Sequence, residues 1–417
     1  MIKMMENSSF FLYNKFEVYK MKILAVNAGS SSLKFQMYEM PEGKVLISGY
    51  VEKIGLEDCF WNVKINGEKI RKEKYLKNHV EAVQVVFDEL LDNKIIKSLK
   101  EIKAVGHRVV HGGEKYSDSV LIDDEVIDTI KSLTKLVPLH HPGNLAGIEA
   151  MMEKLDVPNV AVFDTAFHQT MPDYNYLYPV PYEWYENYGV RKYGFHGTSH
   201  KYITQKMQEK LGKKSINIIS CHIGSGSSIA AIKNGKCYDT TMGLTPLDGL
   251  MMGTRCGSID PSIIEYVSQE SGKNLSEVMK ALNKESGCLA ICGASDNRDI
   301  EKKMAEGDKK AIMGFRMYCD RIAKYIADYY IELEGKVDAI VFTAGVGENA
   351  TMTRSEVLKR LIPLGIIIDE EKNNTIAGYK DITEGIITSD DSKVDVYVVP
   401  TDEELMIALD TVKVANL

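Results

Sequence analysis

One layout occurs twice in this chain, and it restricts the fold more than any other feature. Residues 22–38 (KILAVNAGSSSLKFQMY) and 217–234 (NIISCHIGSGSSIAAIKN) each read as a buried strand, a Gly/Ser turn and a second strand. A Gly-Lys pair lies beyond each, Gly43–Lys44 and Gly235–Lys236. Two copies roughly 195 residues apart suggest duplicated domains. Glycine and small serines let a backbone turn closely around an anion, so each copy opens with a hairpin able to hold a phosphate.

The remaining strand-length apolar runs are EIKAVGHRVV (101–110), VPNVAVF (157–163), VDAIVFTAG (337–345) and VDVYVVP (394–400). Amphipathic stretches of helical length, such as 80–93 and 311–333, lie between them. This alternation predicts an α/β protein with parallel or mixed sheets. A length of 417 residues suits two domains. With only 11 prolines and no low-complexity linker, the boundary follows from the duplication and is placed just after VFDTAFH.

A formal net charge of −8 argues against a nucleic-acid partner, which needs a broad basic surface. It leaves anionic small molecules open, because a local cluster of Arg, Lys and N–H groups can hold a phosphate inside an acidic protein. The seven cysteines are scattered and none has zinc spacing, which reads as reduced thiols in a cytoplasmic protein. No apolar run is long enough to span a bilayer, so no membrane partner is expected. Residues 1–20 lack the apolar core of a signal peptide, and a strong strand begins right after them; the folded domain is expected to begin near Met21, with residues 1–20 either a disordered N-terminal extension or a mis-called start.

Four segments combine cationic or imidazole groups with small neighbours: GHRVVHGG (106–113), PLHHPGN (138–144), YGFHGTSH (193–200) and GLMMGTRCGSIDPS (249–262). Phosphoryl transfer needs such a collection, since its catalysis is mainly positioning plus fixed positive charge. Asp164 ends a strand, where α/β ligand sites form. Glu403 begins a C-terminal helix, where it either caps the helix or holds a metal. Gly345-Val-Gly-Glu-Asn-Ala350 follows a strand and also matches a dinucleotide-binding pattern, but a lone match of that kind leaves the other glycine loops and the Arg/His segments unexplained. No Walker A sequence is present, nor HRD or DFG, so a kinase reading demands a different fold from those classes.

Taken in order, NAGSSSLKF, GHRVVHGGEKY, VFDTAFHQTMP, YGFHGTSHKY, DTTMGLTPLDGLMMGTRCGSIDP and FTAGVGENA closely resemble the acetate kinase family, from Met21 to the C-terminus. The resemblance implies two duplicated domains of the actin, sugar-kinase and Hsp70 type (ribonuclease H-like, mixed sheets) around an interdomain cleft. It implies residues 21–164 with 399–417 as the first domain and 165–398 as the nucleotide-binding second. It implies reversible phosphoryl transfer between ATP and acetate, giving ADP and acetyl phosphate, with Mg2+ (Mn2+ as a substitute) and a homodimer.

Residue by residue, the resemblance assigns Asn27 and Glu403 to magnesium, and Ser30, Ser32 and Lys34 to the first phosphate loop. It assigns Arg108 and Arg255 to the carboxylate and the transferring group, and His196 to transition-state stabilisation with His140 in support. Val110, Leu139, Phe195 and Pro246 resemble the pocket for the acetate methyl. His222, Ile223, Gly224, Ser225 and Gly226, then Asp296, Asn297 and Arg298, then Gly345, Val346, Gly347, Glu348 and Asn349 resemble the nucleotide site. Asp164 matches a proposed acid/base residue. Yet a carboxylate substrate is already ionised at neutral pH, so we expect Asp164 instead to orient an arginine or hold magnesium waters.

Ser225, His141 and Asp402 stand where the family pattern has Asn, and Ala344 where it has Gly. Two other readings compete. One keeps the chemistry but prefers propionate or a longer acid, since one methylene is worth only ~1–3 kcal/mol in such a pocket. The other is a non-catalytic, ATP-switched binding protein on the same fold, which would need the nucleotide loops but not Arg108, Arg255 and a methyl pocket.

Overall fold

The computed structural model describes residues 20–138 and 140–417. The expected N-terminal extension therefore lies outside the described residues except for Lys20, which pairs with Glu39 at 2.6 Å. Leu139, expected in the methyl pocket, also lies outside them.

Among the described residues, fourteen strands form two mixed sheets. The first holds β1 (Met21–Ala28), β2 (Ser32–Met40), β3 (Lys44–Glu52), β4 (Phe60–Ile65), β5 (Glu68–Glu73), β6 (Ile102–Val109), β7 (Val120–Leu121) and β8 (Asn159–Phe163). The second holds β9 (Ile218–Ile223), β10 (Ser227–Lys233), β11 (Lys236–Thr240), β12 (Ala339–Thr343), β13 (Gly385–Ile386) and β14 (Asp395–Val398). Their orders are β5-β4-β3-β2-β1-β6-β8-β7 and β11-β10-β9-β12-β14-β13.

The duplication predicted from the hairpins is present in the topology. In each sheet the opening strand pairs antiparallel with the strand that follows it and parallel with a later one, β1 with β2 and β6, β9 with β10 and β12. A further strand adds parallel beyond that one, β8 on β6 and β14 on β12. The Gly-Lys pairs turn the chain into the third strands, which begin at Lys44 and Lys236. Every residue of β9, β8 and β12 is buried, as parallel strands covered on both faces require.

Two helices cross between the halves. Helix Gly197–Leu211 follows β8 yet packs on β9, whereas the last helix, Glu403–Val414, follows β14 yet packs on β1, β6 and β8. The two helices also touch each other. Ile407 and Ala408 seat the last helix on Ile23, Ala25, Ala104 and Val162, while Met406 packs against Ile203, Ile218 and Val341 of the other half. Burying each of its two larger side chains is worth about 1.5–3 kcal/mol. Gly106 makes this approach possible: a Cβ there would lie 2.1 Å from Thr411 Oγ1. The end of the chain thus sits on the first sheet, with Glu403 at its leading edge.

Three of the four departures acquire local reasons here. Asp402 caps the last helix by accepting from the Leu405 N–H at 2.8 Å, a task Asp and Asn perform equally well. His141 is fully buried and donates from Nδ1 to the Ile130 carbonyl at 2.8 Å. Ala344 sits at φ +66°, a left-handed conformation that costs an L-residue about 1–2 kcal/mol. Ala344→Gly is therefore expected to stabilise the chain by about 0.5–1 kcal/mol, the relief of strain outweighing the added freedom of the unfolded chain. Chemical denaturation would check this; an unchanged or lower midpoint would contradict it.

Candidate active site

The C-terminal ends of the central strands converge between the two sheets. Asn27 lies one residue before the end of β1, Arg108 near the end of β6, and Asp164 follows β8 directly. From the other half come His196, at the head of helix Gly197–Leu211, and Pro246 and Arg255 from the long segment after β11. These residues, with Ser32, Lys34, Val110, His140, Asn144 and Phe195, line a cavity of about 280 Å³.

The centre of this cavity is an ion pair. Arg108 donates from Nη2 to Asp164 Oδ2 at 2.6 Å and from Nε to Oδ1 at 3.0 Å, while Nη1 reaches Asn27 Oδ1 at 3.4 Å. Asp164 is 1% exposed, and both its oxygens are engaged by one guanidinium. Bidentate geometry of this kind fixes the plane of the arginine. Burial works against the Arg108 charge, but Asp164, Glu403 and Glu404 outweigh it and hold the guanidinium above its ordinary range. Glu403 feels the reverse: burial first, with help from Asp164 and Glu404, pushes its carboxyl up to about 7 against the pull of Arg108 and Lys34.

Arg255 has no carboxylate partner among the described residues. It donates to the Pro246 carbonyl at 3.2 Å, and burial lowers its pKa. A half-buried guanidinium without an anion is a charge awaiting one. His196 stands beside it in an αL backbone at φ +58°, and its ring lies flat on His222 with centroids 4.2 Å apart. Burial, then the neighbouring His222, His200, Arg108 and Arg255, holds His196 well below its usual pKa, so it is neutral. Gly197 permits this geometry, because a Cβ there would meet the Asp164 carbonyl oxygen at 2.1 Å.

A second cavity of about 570 Å³ opens on the other side of the β9–β10 turn. Gly224, Ser225, Asp296, Asn297, Arg298, Gly345, Val346 and Asn349 line it. Gly226 of the same turn instead faces the smaller cavity, with Arg255 Nη1 and His196 Nε2 within 4 Å of where its Cβ would stand. The turn is thus the wall between the two spaces.

Other expected nucleotide residues are placed differently. The Ile223 side chain is in the core beneath the second sheet. His222 supports His196 and is held by Ser199 Oγ at 2.8 Å. The segment 345–349 forms a short helix, Ala344–Asn349, in which the Glu348 carboxylate accepts from the Ala344 and Thr401 N–H groups at 2.8 and 3.0 Å. Ser30 is exposed on the first turn and does not line the smaller cavity, whereas Ser32 and Lys34 do.

Asn144 was not anticipated as a site residue. Its Nδ2 donates to the Ala28 carbonyl at 2.7 Å and its Oδ1 accepts from the Val110 N–H at 3.2 Å, which ties the first turn to the strand bearing Arg108. It stands in the PLHHPGN segment, and only its fold context separates it from a helix-surface amide. In the larger cavity, Gly253, Ser295, Glu301, Tyr318 and Tyr379 likewise join the lining without a motif to announce them.

Duplicated domains of this topology, with buried cations facing a cleft and glycine turns beside it, define a phosphotransferase of the actin, sugar-kinase and Hsp70 type. The chain belongs to the acetokinase family, whose model matches residues 22–409. It is 52% identical over 401 residues to the acetate kinase of Finegoldia magna, covering 95% of this chain and all of that one. Among solved structures, Porphyromonas gingivalis acetate kinase superposes with a TM-score of 0.89 at 46% identity, covering 94% of this chain and 99% of that one. A propionate kinase from Francisella tularensis superposes with a TM-score of 0.89 at 42% identity, over the same shares of the two chains.

Proposed function

We propose that this chain is an acetate kinase, transferring the terminal phosphoryl group of ATP reversibly to acetate. The observation that carries the reading is the smaller cavity, where two guanidiniums of opposite commitment share one space. Arg108 is oriented by Asp164, and Arg255 has no carboxylate partner among the described residues. A carboxylate and a phosphoryl group together supply the negative charge that this pair lacks. Val110, Phe195 and Pro246 add an apolar wall large enough for a methyl group.

In this reading acetate lies against Arg108 with its methyl on Val110, Phe195 and Pro246, while the nucleotide fills the larger cavity over Gly224, Ser225 and Gly345. One acetate oxygen forms a bond to the terminal phosphorus as the bond to the ADP oxygen breaks. No proton moves, since acetate is already ionised. Asp164, with both oxygens on Arg108, serves as an orienting group rather than a base. Arg255 and the Nε2–H of His196 offset the charge on the equatorial oxygens, which is where such transfers are accelerated.

The donor set also suits a hard divalent cation. Asn27, Asp164 and Glu403 offer oxygen ligands only, and such an ion would offset the burial that raises the Glu403 carboxyl. Asn27 and Glu403 would hold Mg2+ through its waters. When bound, the ion neutralises charge on the phosphate oxygens.

We extend the reading to the molecule's organisation. Residues 21–164 with 399–417 form one domain and 165–398 the other, supported by the last helix packing on the first sheet. Exposed Tyr174, Tyr182, Trp184 and Tyr188 on one segment support a homodimer. Seven free cysteines, six of them buried, support a cytoplasmic location. Among the described residues no helix is long and apolar enough to cross a membrane.

The propionate alternative rests on a structural neighbour of comparable similarity. Steady-state ADP release with acetate, propionate and butyrate separates the two. The apolar wall predicts a specificity constant about tenfold higher for acetate than for propionate, the worth of one poorly housed methylene. A preference for propionate or butyrate would transfer the assignment to the longer acid.

A further inference from the structure

We propose that a buried relay, Ser220–His200–Ser228–His196, fixes His196 as the tautomer carrying its proton on Nε2, which makes Ser220 and His200 positioning residues for phosphoryl transfer. The proposal rests on the phosphoryl-transfer reading above for its consequence, but not for its geometry.

Three contacts of equal length make the chain. His196 Nδ1 meets Ser228 Oγ at 2.9 Å, Ser228 Oγ meets His200 Nε2 at 2.9 Å, and His200 Nδ1 meets Ser220 Oγ at 2.9 Å. Ser220, His200 and Ser228 are 0% exposed, so water does not complete any of these bonds. Burial holds both imidazoles neutral, and each ring therefore carries a single N–H.

Two arrangements of hydrogens use Ser228 Oγ as both donor and acceptor; a third, in which it accepts from both rings, strands the buried Ser228 hydroxyl hydrogen and is disfavoured for that reason. In the first, the Ser220 hydroxyl donates to His200 Nδ1, His200 Nε2–H donates to Ser228 Oγ, and the Ser228 hydroxyl donates to His196 Nδ1. Every hydrogen in the chain then has an acceptor, and the proton of His196 is on Nε2. In the second, all three bonds reverse: His196 donates from Nδ1 and presents a bare lone pair on Nε2. The Ser220 hydroxyl hydrogen is then stranded, because Ser220 Oγ has no other partner among the described residues. A buried hydroxyl left without an acceptor biases the relay against this arrangement by about tenfold or more.

The atom so protonated faces the right way. His196 Nε2 and Arg255 Nη1 both lie within 4 Å of the point where a Cβ on Gly226 would stand, at the wall between the two cavities. An uncharged imidazole is useful there only as a donor, since its lone pair would repel an incoming phosphoryl oxygen. His222, stacked on the ring with its own Nδ1 held by Ser199 Oγ, keeps the plane of His196 from turning.

The test is the tautomer itself. In the full-length protein labelled with 15N-histidine, long-range proton–nitrogen correlation is expected to show His196 with a pyrrole-like Nε2 and a pyridine-like Nδ1, unchanged from pH 7.5 to 6. Ser220→Ala is expected to blur that assignment and to lower kcat about tenfold, with KM for ATP and acetate within about twofold. Ser220→Thr, which keeps the hydroxyl, is expected to restore both. A wild-type His196 protonated on Nδ1 would overturn the proposal, as would a folded Ser220→Ala protein with wild-type tautomer and wild-type kcat. If Ser220→Ala fails to fold, the wild-type spectrum still decides. A wild-type chain that shows the Nε2–H tautomer but transfers no phosphoryl group would sink the functional reading and leave the relay standing.

Discussion

Replacing Arg108 with Ala is expected to lower kcat by about three orders of magnitude, within the range by which a fixed arginine accelerates phosphoryl transfer. The same change is expected to destabilise the fold by about 3–5 kcal/mol, because Asp164 would be left as a buried carboxylate with neither oxygen compensated. These two losses have separate origins and can be pulled apart. Adding Asp164→Ala to Arg108→Ala removes the stranded charge, so the double variant should recover most of the stability and none of the activity. Asp164→Asn alone keeps the shape but takes away the charge that orients Arg108, and a substantial loss of kcat is expected from it too. Denaturant titration and steady-state rates on the three variants provide the cycle. An Asp164→Asn enzyme with normal turnover and normal magnesium dependence would show that Asp164 neither orients Arg108 nor holds magnesium waters.

The second large effect is on acid stability. Seven imidazoles are pushed down from their ordinary value near 6.5 by burial: His107, His141 and His168 to about 4, His111 and His222 to about 3, and His196 and His200 well below it. Their folded pKa values lie below the unfolded ones, so the stability they contribute is complete above pH 6.5. It drains away as the pH falls toward the folded values. Each group protonated in the unfolded chain but not in the folded one adds a slope of about 1.4 kcal/mol per pH unit. Glu403 and Glu332 act in the opposite sense, since burial raises both to about 7. Seven groups against two leave a net loss of about 7 kcal/mol per pH unit between roughly pH 6.5 and 4.5. Against a typical total of about 5–15 kcal/mol, the chain should lose most of its stability within that window. Circular dichroism during urea titration at pH 7, 6 and 5 checks this. A midpoint that stays constant from pH 7 to 5 would mean that the histidines are not held neutral by burial.

The duplicated fold was legible because each repeat opens with a strand–turn–strand unit whose pattern is local, whereas the order of strands in each sheet depends on distant pairings that no local pattern announces. The charged members of the site were legible for a similar reason: Arg108, His196 and Arg255 each sit in a segment crowded with small residues. What could not be read was how separate segments meet. Asp164 and Arg108 are 56 residues apart, and their bidentate pairing appears only when β6 and β8 lie side by side. Asn144 bridges Ala28 and Val110 across three segments, and nothing in its neighbourhood distinguishes it from an ordinary helix amide. Ile223 shows the converse, for it belongs to a glycine motif yet its side chain is core, because alternation along β9 turns it away from the turn's open face. Ala344 shows why a glycine is usual in the third loop, since only the backbone angle at that position reveals the left-handed turn.

The measurement closest to the central claim is hydroxamate formation from acetate and ATP, with magnesium present and with it chelated. Acetyl hydroxamate that depends on both ATP and magnesium, and that disappears in the Arg108→Ala variant, is the predicted result. No acyl phosphate from acetate, propionate or butyrate would contradict the assignment and favour an ATP-switched binding protein on the same fold.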